Sequence, residues 1–157
     1  MAKDVLSIYV ENKANVLSRV VGLYGRRGFN IDSLTVSATN DPTTSRVTIV
    51  FEGDNLTLNQ IIAQTEKLEV VKSIKTLEDK SSFFRELLMV KVKADKVQRT
   101  EIKEIVDIYR AKIINLTNDE MVLEITGAPE KLDAFLKMLD AYEISDICRT
   151  GVTGIER

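Results

Sequence analysis

The chain contains no histidine and one cysteine, Cys148. Without histidine, the commonest general base and the commonest metal ligand are both missing. A single thiol excludes an intrachain disulfide and, with no histidine beside it, leaves no metal site to be expected. There is no excess of one charge: 22 basic residues face 24 acidic ones, for a net charge of −2. Neither half of the chain is basic, so binding to nucleic acid or to an anionic membrane is not expected. No apolar stretch approaches the roughly 18 residues of a membrane span. The first residues, MAKDVLSIYV, lack the long apolar run of a signal peptide. A cytoplasmic protein that works without a catalytic residue of its own is the expectation.

What is present is a pattern written twice within 157 residues. Val5–Val10 alternates as a strand, with Leu6, Ile8 and Val10 on one side and Val5, Ser7 and Tyr9 on the other. A polar loop, Glu11-Asn12-Lys13-Ala14-Asn15, leads into a helix whose Val16, Leu17, Val20, Val21, Leu23 and Tyr24 recur at helical spacing. Gly28 suits the position just past that helix. Ile31–Thr39 and Ser45–Glu52 form a hairpin around the turn Asn40-Asp41-Pro42-Thr43. A second helix, Leu56–Leu68, and a strand, Val70–Leu77, complete βαββαβ.

The polar run Glu78–Ser82 reads as a linker or hinge, after which the order repeats. Strands are expected at Phe84–Lys93, Ala111–Thr117, Met121–Thr126 and Glu143–Thr150. Helices are expected at Thr100–Tyr109 and from Pro129, which suits a first helical turn. The fold class is therefore α+β, with two ferredoxin-like βαββαβ domains in tandem, spanning residues 1–78 and 83–157. In each, two helices cover one face of an antiparallel sheet. The other face still carries apolar residues and needs a cover, most simply another domain or another copy. Domains of about 80 residues are marginal alone, which also favours pairing.

The segment VENKANVLSRVVGLYGRRGFNIDSLTV carries the functional question. The N-terminus of a helix exposes unpaired N–H groups and partial positive charge, which together attract a carboxylate. Asn12, Asn15 and Asn30 offer amide donors and acceptors, so both amide-bearing segments, read at the same end of the helix, suit a zwitterionic ligand. The competing reading is structural: Asn15 as an ordinary helix cap and Asn30 as a turn residue.

The same segment, continued through SATNDPTTSRVTIV, resembles the ACT domain of the small, regulatory subunit of acetohydroxyacid synthase (acetolactate synthase). That family's pattern is E-N-x-x-G-[AV]-L-S-R-V-x-G-L-[FY]-x-x-R-G-[FY]-N-I-x-S-L-T-V, followed by D-P-x-x-S-R-[MV]-T-I. Glu11, Asn12, Leu17, Ser18, Arg19, Gly22, Gly28, Asn30, Ile31, Asp41, Pro42, Ser45 and Arg46 stand at matching places. RELLMVKV, KLDAF and RTGVTGIER extend the resemblance over almost the whole chain.

The resemblance implies a non-catalytic subunit that activates a catalytic large subunit and mediates feedback inhibition by a branched-chain amino acid, usually valine. It implies no cofactor in this chain, the large subunit carrying thiamine diphosphate, a divalent metal and FAD. It also implies a homodimer with an effector pocket between two ACT domains, at Asn12, Asn15, Val16, Leu17, Asn30 and Ile31. Where the family usually has glycine, this chain has Asn15. Asparagine tolerates the left-handed backbone conformation that glycine allows, so the loop keeps its shape while a side chain enters the pocket. Weaker valine binding or a changed effector preference, with the activating role intact, is the expectation, and a new hydrogen bond from Asn15 with normal sensitivity is the alternative. A free-standing amino-acid sensor acting on another enzyme is the alternative function. An RNA-binding sheet is disfavoured, because Tyr9 and Phe51 do not match the paired aromatics such sheets use.

Gly22 and Gly25 inside the first helix suggest close approach of a neighbouring helix across a dimer, against tolerated surface glycine. Arg26 and Arg27 suit a helix C-terminus or a large-subunit contact. Ser45-Arg46 is expected at the exposed tip of the hairpin. Lys91, Lys93, Lys96 and Arg99 read as a solvated face. Cys148 is expected buried or half-buried in its strand.

Overall fold

The computed structural model describes residues 3–157. In the first half, β1 (Lys3–Glu11), α1 (Val16–Arg26), β2 (Ile31–Ala38), β3 (Thr44–Glu52), α2 (Asn55–Glu66) and β4 (Val71–Leu77) follow in order. A single 3-10 turn at Asp79–Ser81 occupies the polar run read as a hinge. Then come β5 (Ser82–Lys93), α3 (Lys96–Tyr109), β6 (Lys112–Leu116), β7 (Glu120–Gly127), α4 (Pro129–Met138), β8 (Glu143–Arg149) and a ninth strand, β9 (Thr153–Glu156). The βαββαβ order therefore stands twice, and the fold class is α+β as the pattern predicts.

Each half forms an antiparallel sheet with the split-βαβ strand order: β2-β3-β1-β4 in the first and β6-β7-β5-β8 in the second. Period-2 alternation sets the faces. Leu6, Ile8 and Val10 of β1 join Val47, Ile49 and Phe51 of β3 beneath Val16, Val20, Leu23 and Tyr24 of α1 and Ile61 of α2. The second core repeats this with Leu88, Val90 and Val92, Met121, Leu123 and Ile125, and the helix residues Ile102, Val106, Leu132 and Phe135.

The chain divides into two compact units, one holding the chain up to Phe83 together with Val152–Arg157, the other Phe84–Gly151. By contacts, Val152–Arg157 group with the first unit and not with the rest of 83–157. Gly151, at φ +88°, turns the chain out of β8. The last six residues then pair through β9 with β5 and bond to residues of the first unit. Thr35 Oγ1 donates to the Val152 carbonyl (3.0 Å), the Val152 N–H to Ser33 Oγ (3.4 Å), and Arg46 Nη1 to the Gly154 carbonyl (3.1 Å). Lys75 pairs with Glu156 at 2.7 Å, and the Arg157 N–H donates to the Ser81 carbonyl at 2.8 Å. The second face of the first sheet thus receives a strap from the same chain.

Candidate functional site

α1 starts and stops by different devices. At its C-terminus, Gly28 adopts φ +70°. Its N–H reaches the Gly25 carbonyl (3.2 Å) and the Phe29 N–H reaches the Tyr24 carbonyl (3.0 Å), so the terminal carbonyls are satisfied. Arg27 donates to Gln64 Oε1 at 3.1 Å, tying α1 to α2.

At the N-terminus no such closure exists. Asn15 holds the N-cap position in a left-handed conformation, φ 69° and ψ −1°, and its side chain makes no capping bond. The backbone is the one glycine would favour, and the reading of Asn15 as an ordinary cap falls away. The first intrahelical bond runs from the Arg19 N–H to the Asn15 carbonyl (3.2 Å), so the N–H groups of Val16, Leu17 and Ser18 precede the ladder.

The other helices contrast with this. Asp54 caps α2 through the Thr57 N–H at 2.7 Å. Asp95 and Gln98 close α3 with a reciprocal capping box, and Pro129 opens α4 without a donor. The α3 box, at the position in the second unit that corresponds to the α1 start, extends that helix four residues before the expected Thr100.

Asn12 stands on the same loop as Asn15 and is held at two points. Its N–H donates to the Thr43 carbonyl at 2.9 Å. Its Nδ2 donates to the Pro42 carbonyl at 3.0 Å. A carbonyl only accepts, so the amide orientation is fixed. Among the described residues, Asn12 Oδ1 has no partner. Beside these groups, Leu17 is 39% exposed while Val16 is buried.

The structure does not bring all six expected residues together. Asn12, Asn15, Val16 and Leu17 lie where β1 ends, beside Thr44 of β3. Asn30 and Ile31 follow the other end of α1, where Ile31 pairs with Phe51 and Phe51 with Asp4. An eleven-residue helix lies between them, about 16 Å at 1.5 Å per residue. The reading that set both amide segments at the same end of the helix is therefore wrong for a single chain: segments before and after one helix lie at its opposite ends.

Other expectations also change. Ser45 and Arg46 are not at an exposed tip. Ser45 is buried in β3, which is an interior strand, and the Arg46 guanidinium lies 4.9 Å over the Tyr9 ring. Cys148 is exposed, because β8 is an edge strand and Cys148 sits opposite Met89, on the face away from Leu88 and Val90. At Gly25 an added Cβ would meet nothing, and at Gly22 only the Arg26 guanidinium at 3.4 Å. Among the described residues, no packing within one chain requires these two glycines, which leaves the expected approach across a dimer open. Among the described residues, no His/Cys/Asp/Glu group could hold a metal ion, and no helix is long and apolar enough to cross a membrane.

Known proteins resemble the chain over its whole length. Residues 6–73 match the AHAS small subunit-like ACT domain, and residues 85–157 match the family described as the small subunit of acetolactate synthase. A probable acetolactate synthase small subunit of Archaeoglobus fulgidus is 42% identical over 156 residues, covering 99% of this chain and 97% of the relative. The acetolactate synthase isozyme 3 small subunit of Salmonella typhimurium is also 42% identical, covering 99% and 96%. The crystal structure of the acetolactate synthase small subunit from Thermotoga maritima superposes with a TM-score of 0.91 at 35% identity, covering 100% of this chain and 98% of that one. With both halves matched and the fold shared end to end, the chain belongs to the acetolactate synthase small-subunit family, its first half an ACT domain.

Proposed function

We propose that this chain is the regulatory subunit of an acetohydroxyacid synthase. It activates a catalytic large subunit and carries feedback inhibition by a branched-chain amino acid, with valine the first candidate. It performs no chemistry itself. The thiamine diphosphate, divalent metal and FAD of the reaction belong to the large subunit.

The observation that carries the effector reading is the open start of α1. Three N–H groups and the positive end of the helix dipole suit the ligand carboxylate. Asn12 Oδ1, an acceptor without a partner among the described residues, suits the ammonium. Leu17, part-exposed beside them, suits an aliphatic side chain.

The site is completed by a second copy. β2 is an edge strand and Val36 on it is 46% exposed. Edge strands offer an unpaired row of backbone groups to another chain. Antiparallel β2–β2 pairing about a two-fold axis brings the Ile31 end of one copy beside the Ala38 end of the other. Ala38 pairs with Ser45, and Ser45 with Val10, so that end is where Asn12 and Asn15 lie. Asn30 and Ile31 of the second copy thereby join Asn12, Asn15, Val16 and Leu17 of the first. The dimer removes the conflict that a single chain presents.

Isothermal titration of the chain with valine, leucine and isoleucine, repeated with Asn15→Gly, tests this reading. The expected outcome is weak binding to the native chain and about tenfold tighter binding to Asn15→Gly, as expected if removing a side chain from the carboxylate subsite restores a charge-assisted hydrogen bond. Equal affinities would make Asn15 a neutral substitute for glycine. Binding by neither would remove the effector role and leave activation of the large subunit to be measured alone.

A further inference from the structure

The turn Asp41-Pro42-Thr43 matches a family motif, yet none of its side chains is among the expected ligand contacts. Its construction gives it a task. One Asp41 carboxylate oxygen accepts the Thr43 N–H at 2.9 Å and the Thr43 hydroxyl at 2.7 Å. The other accepts the Thr44 hydroxyl at 3.1 Å. The Asp41 carbonyl accepts the Thr44 N–H and the Thr39 hydroxyl, each at 3.0 Å, while the Asp41 N–H returns to Thr39 Oγ1 at 3.1 Å. From β4, Lys72 donates to the Thr43 hydroxyl at 3.3 Å and also to that of Thr44.

Asp41 is solvent-exposed, so this network contributes little burial. What it does fix is the direction of two carbonyls, those of Pro42 and Thr43. Both are spent on one residue thirty positions away: Pro42 O holds Asn12 Nδ2, and Thr43 O holds the Asn12 N–H. The amide of Asn12 is thereby prevented from rotating, and the atom left over is the acceptor, Oδ1. If the Pro42 carbonyl were released, the amide would be free to present its NH2 group, which repels an ammonium.

We propose that Asp41 is a positioning residue of the ligand site, acting through Pro42 and Asn12 to select a ligand that carries an ammonium group. This rests on the effector reading of the α1 start and extends it with a residue that touches no ligand. The preformed orientation lowers the ordering cost of binding, so its loss is read as affinity and not only as stability.

A double-mutant cycle tests this, with valine affinity measured by calorimetry on the full-length dimer and melting temperature measured in parallel. Asn12→Ala is expected to weaken valine about tenfold or more, as loss of a hydrogen bond to a charged group does. Asp41→Ala is expected to weaken it about fivefold, by releasing the amide without removing it. In the Asn12→Ala background, Asp41→Ala is expected to add nothing, because the group it positions is gone. Asp41→Asn keeps an acceptor for the Thr43 N–H and is expected to restore most of the affinity.

Equal weakening by Asp41→Ala in both backgrounds would overturn the proposal. So would an unchanged affinity accompanied only by a lower melting temperature. If the unaltered chain and Asn15→Gly bind none of the three amino acids, the effector reading fails and the proposal falls with it. If the unaltered chain binds and the cycle is additive, the proposal alone fails.

Discussion

The Arg149 guanidinium grips the Glu86 carboxylate at two points, Nε to Oε1 at 3.1 Å and Nη2 to Oε2 at 2.5 Å, while Nη1 reaches Asp133 Oδ1 at 2.7 Å. These three residues come from RELLMVKV, KLDAF and RTGVTGIER, segments far apart in the chain, and together they lock β5, β8 and α4. The Glu86 side chain is 4% exposed and Arg149 27%. Arg149→Ala would leave a buried carboxylate unpaired. It is expected to cost about 3 kcal/mol, the low end for breaking a buried pair, since Arg149 keeps some contact with water. Arg149→Lys would recover only part, because an ammonium cannot reproduce the two-point grip. Urea denaturation of the full chain measures both, and a loss under about 1 kcal/mol for Arg149→Ala, the range of surface pairs, would refute the buried-pair account.

Much of this architecture was legible in the chain. Leu6-Ser7-Ile8-Tyr9-Val10 alternates because one face of β1 meets the helices, and Gly28 ends α1 because it takes a positive φ. The family pattern pointed to the α1 start as the candidate site, and the left-handed backbone expected of Asn15 is present. β9 was missed because four residues, Thr153–Glu156, are too short to show a period and their partners lie far back in sequence. The start of α3 was missed although Asp95 and Gln98 stood at capping-box spacing. The placement of Asn30 was within reach: an eleven-residue helix between Asn15 and Arg27 separates its flanks by its own length. Cys148 and Arg46 were misjudged because exposure depends on which strand is an edge, a property of sheet order and not of local pattern.

Acid should weaken the Asp54 cap of α2. The Asp54 carboxyl is held below its ordinary value of 3.8, chiefly by the Thr57 N–H. Asp41 is likewise lowered, chiefly by the Thr43 hydroxyl and N–H. A lowered folded-state pKa means the group stabilises the fold fully above its unfolded value and loses that contribution as pH falls through the folded one. Asp54→Ala is therefore expected to melt below the unaltered protein at neutral pH. The gap should narrow as the pH drops below 3.8. Melting temperatures of both proteins across that range provide the check. A gap that stays constant through the acid limb would show that the charge of Asp54 is not what caps α2.

The strap at the C-terminus makes the last prediction. Arg46 serves it from beneath: it lies over Tyr9, bonds the Tyr9 hydroxyl, and donates Nη1 to the buried Gly154 carbonyl. Thr35 and Ser33 hold Val152 from β2, and Val152 is buried. Removing Arg46 would orphan the Gly154 carbonyl, at a cost of about 1–3 kcal/mol for an unsatisfied buried group. The loss should be local, because Thr35, Ser33 and the Lys75–Glu156 pair remain. Arg46→Ala is thus expected to raise amide hydrogen exchange in residues 152–157 about tenfold or more, the factor for roughly 1.4 kcal/mol, while β7 and α3 in the second core keep their protection. Adding Thr35→Val should raise exchange in the strap further, since both side chains hold the same short segment. Unchanged exchange in 152–157 for the double variant would mean that these two side chains do not hold the strap, and that the β9–β5 pairing, the Lys75–Glu156 pair and the burial of Val152 keep it in place.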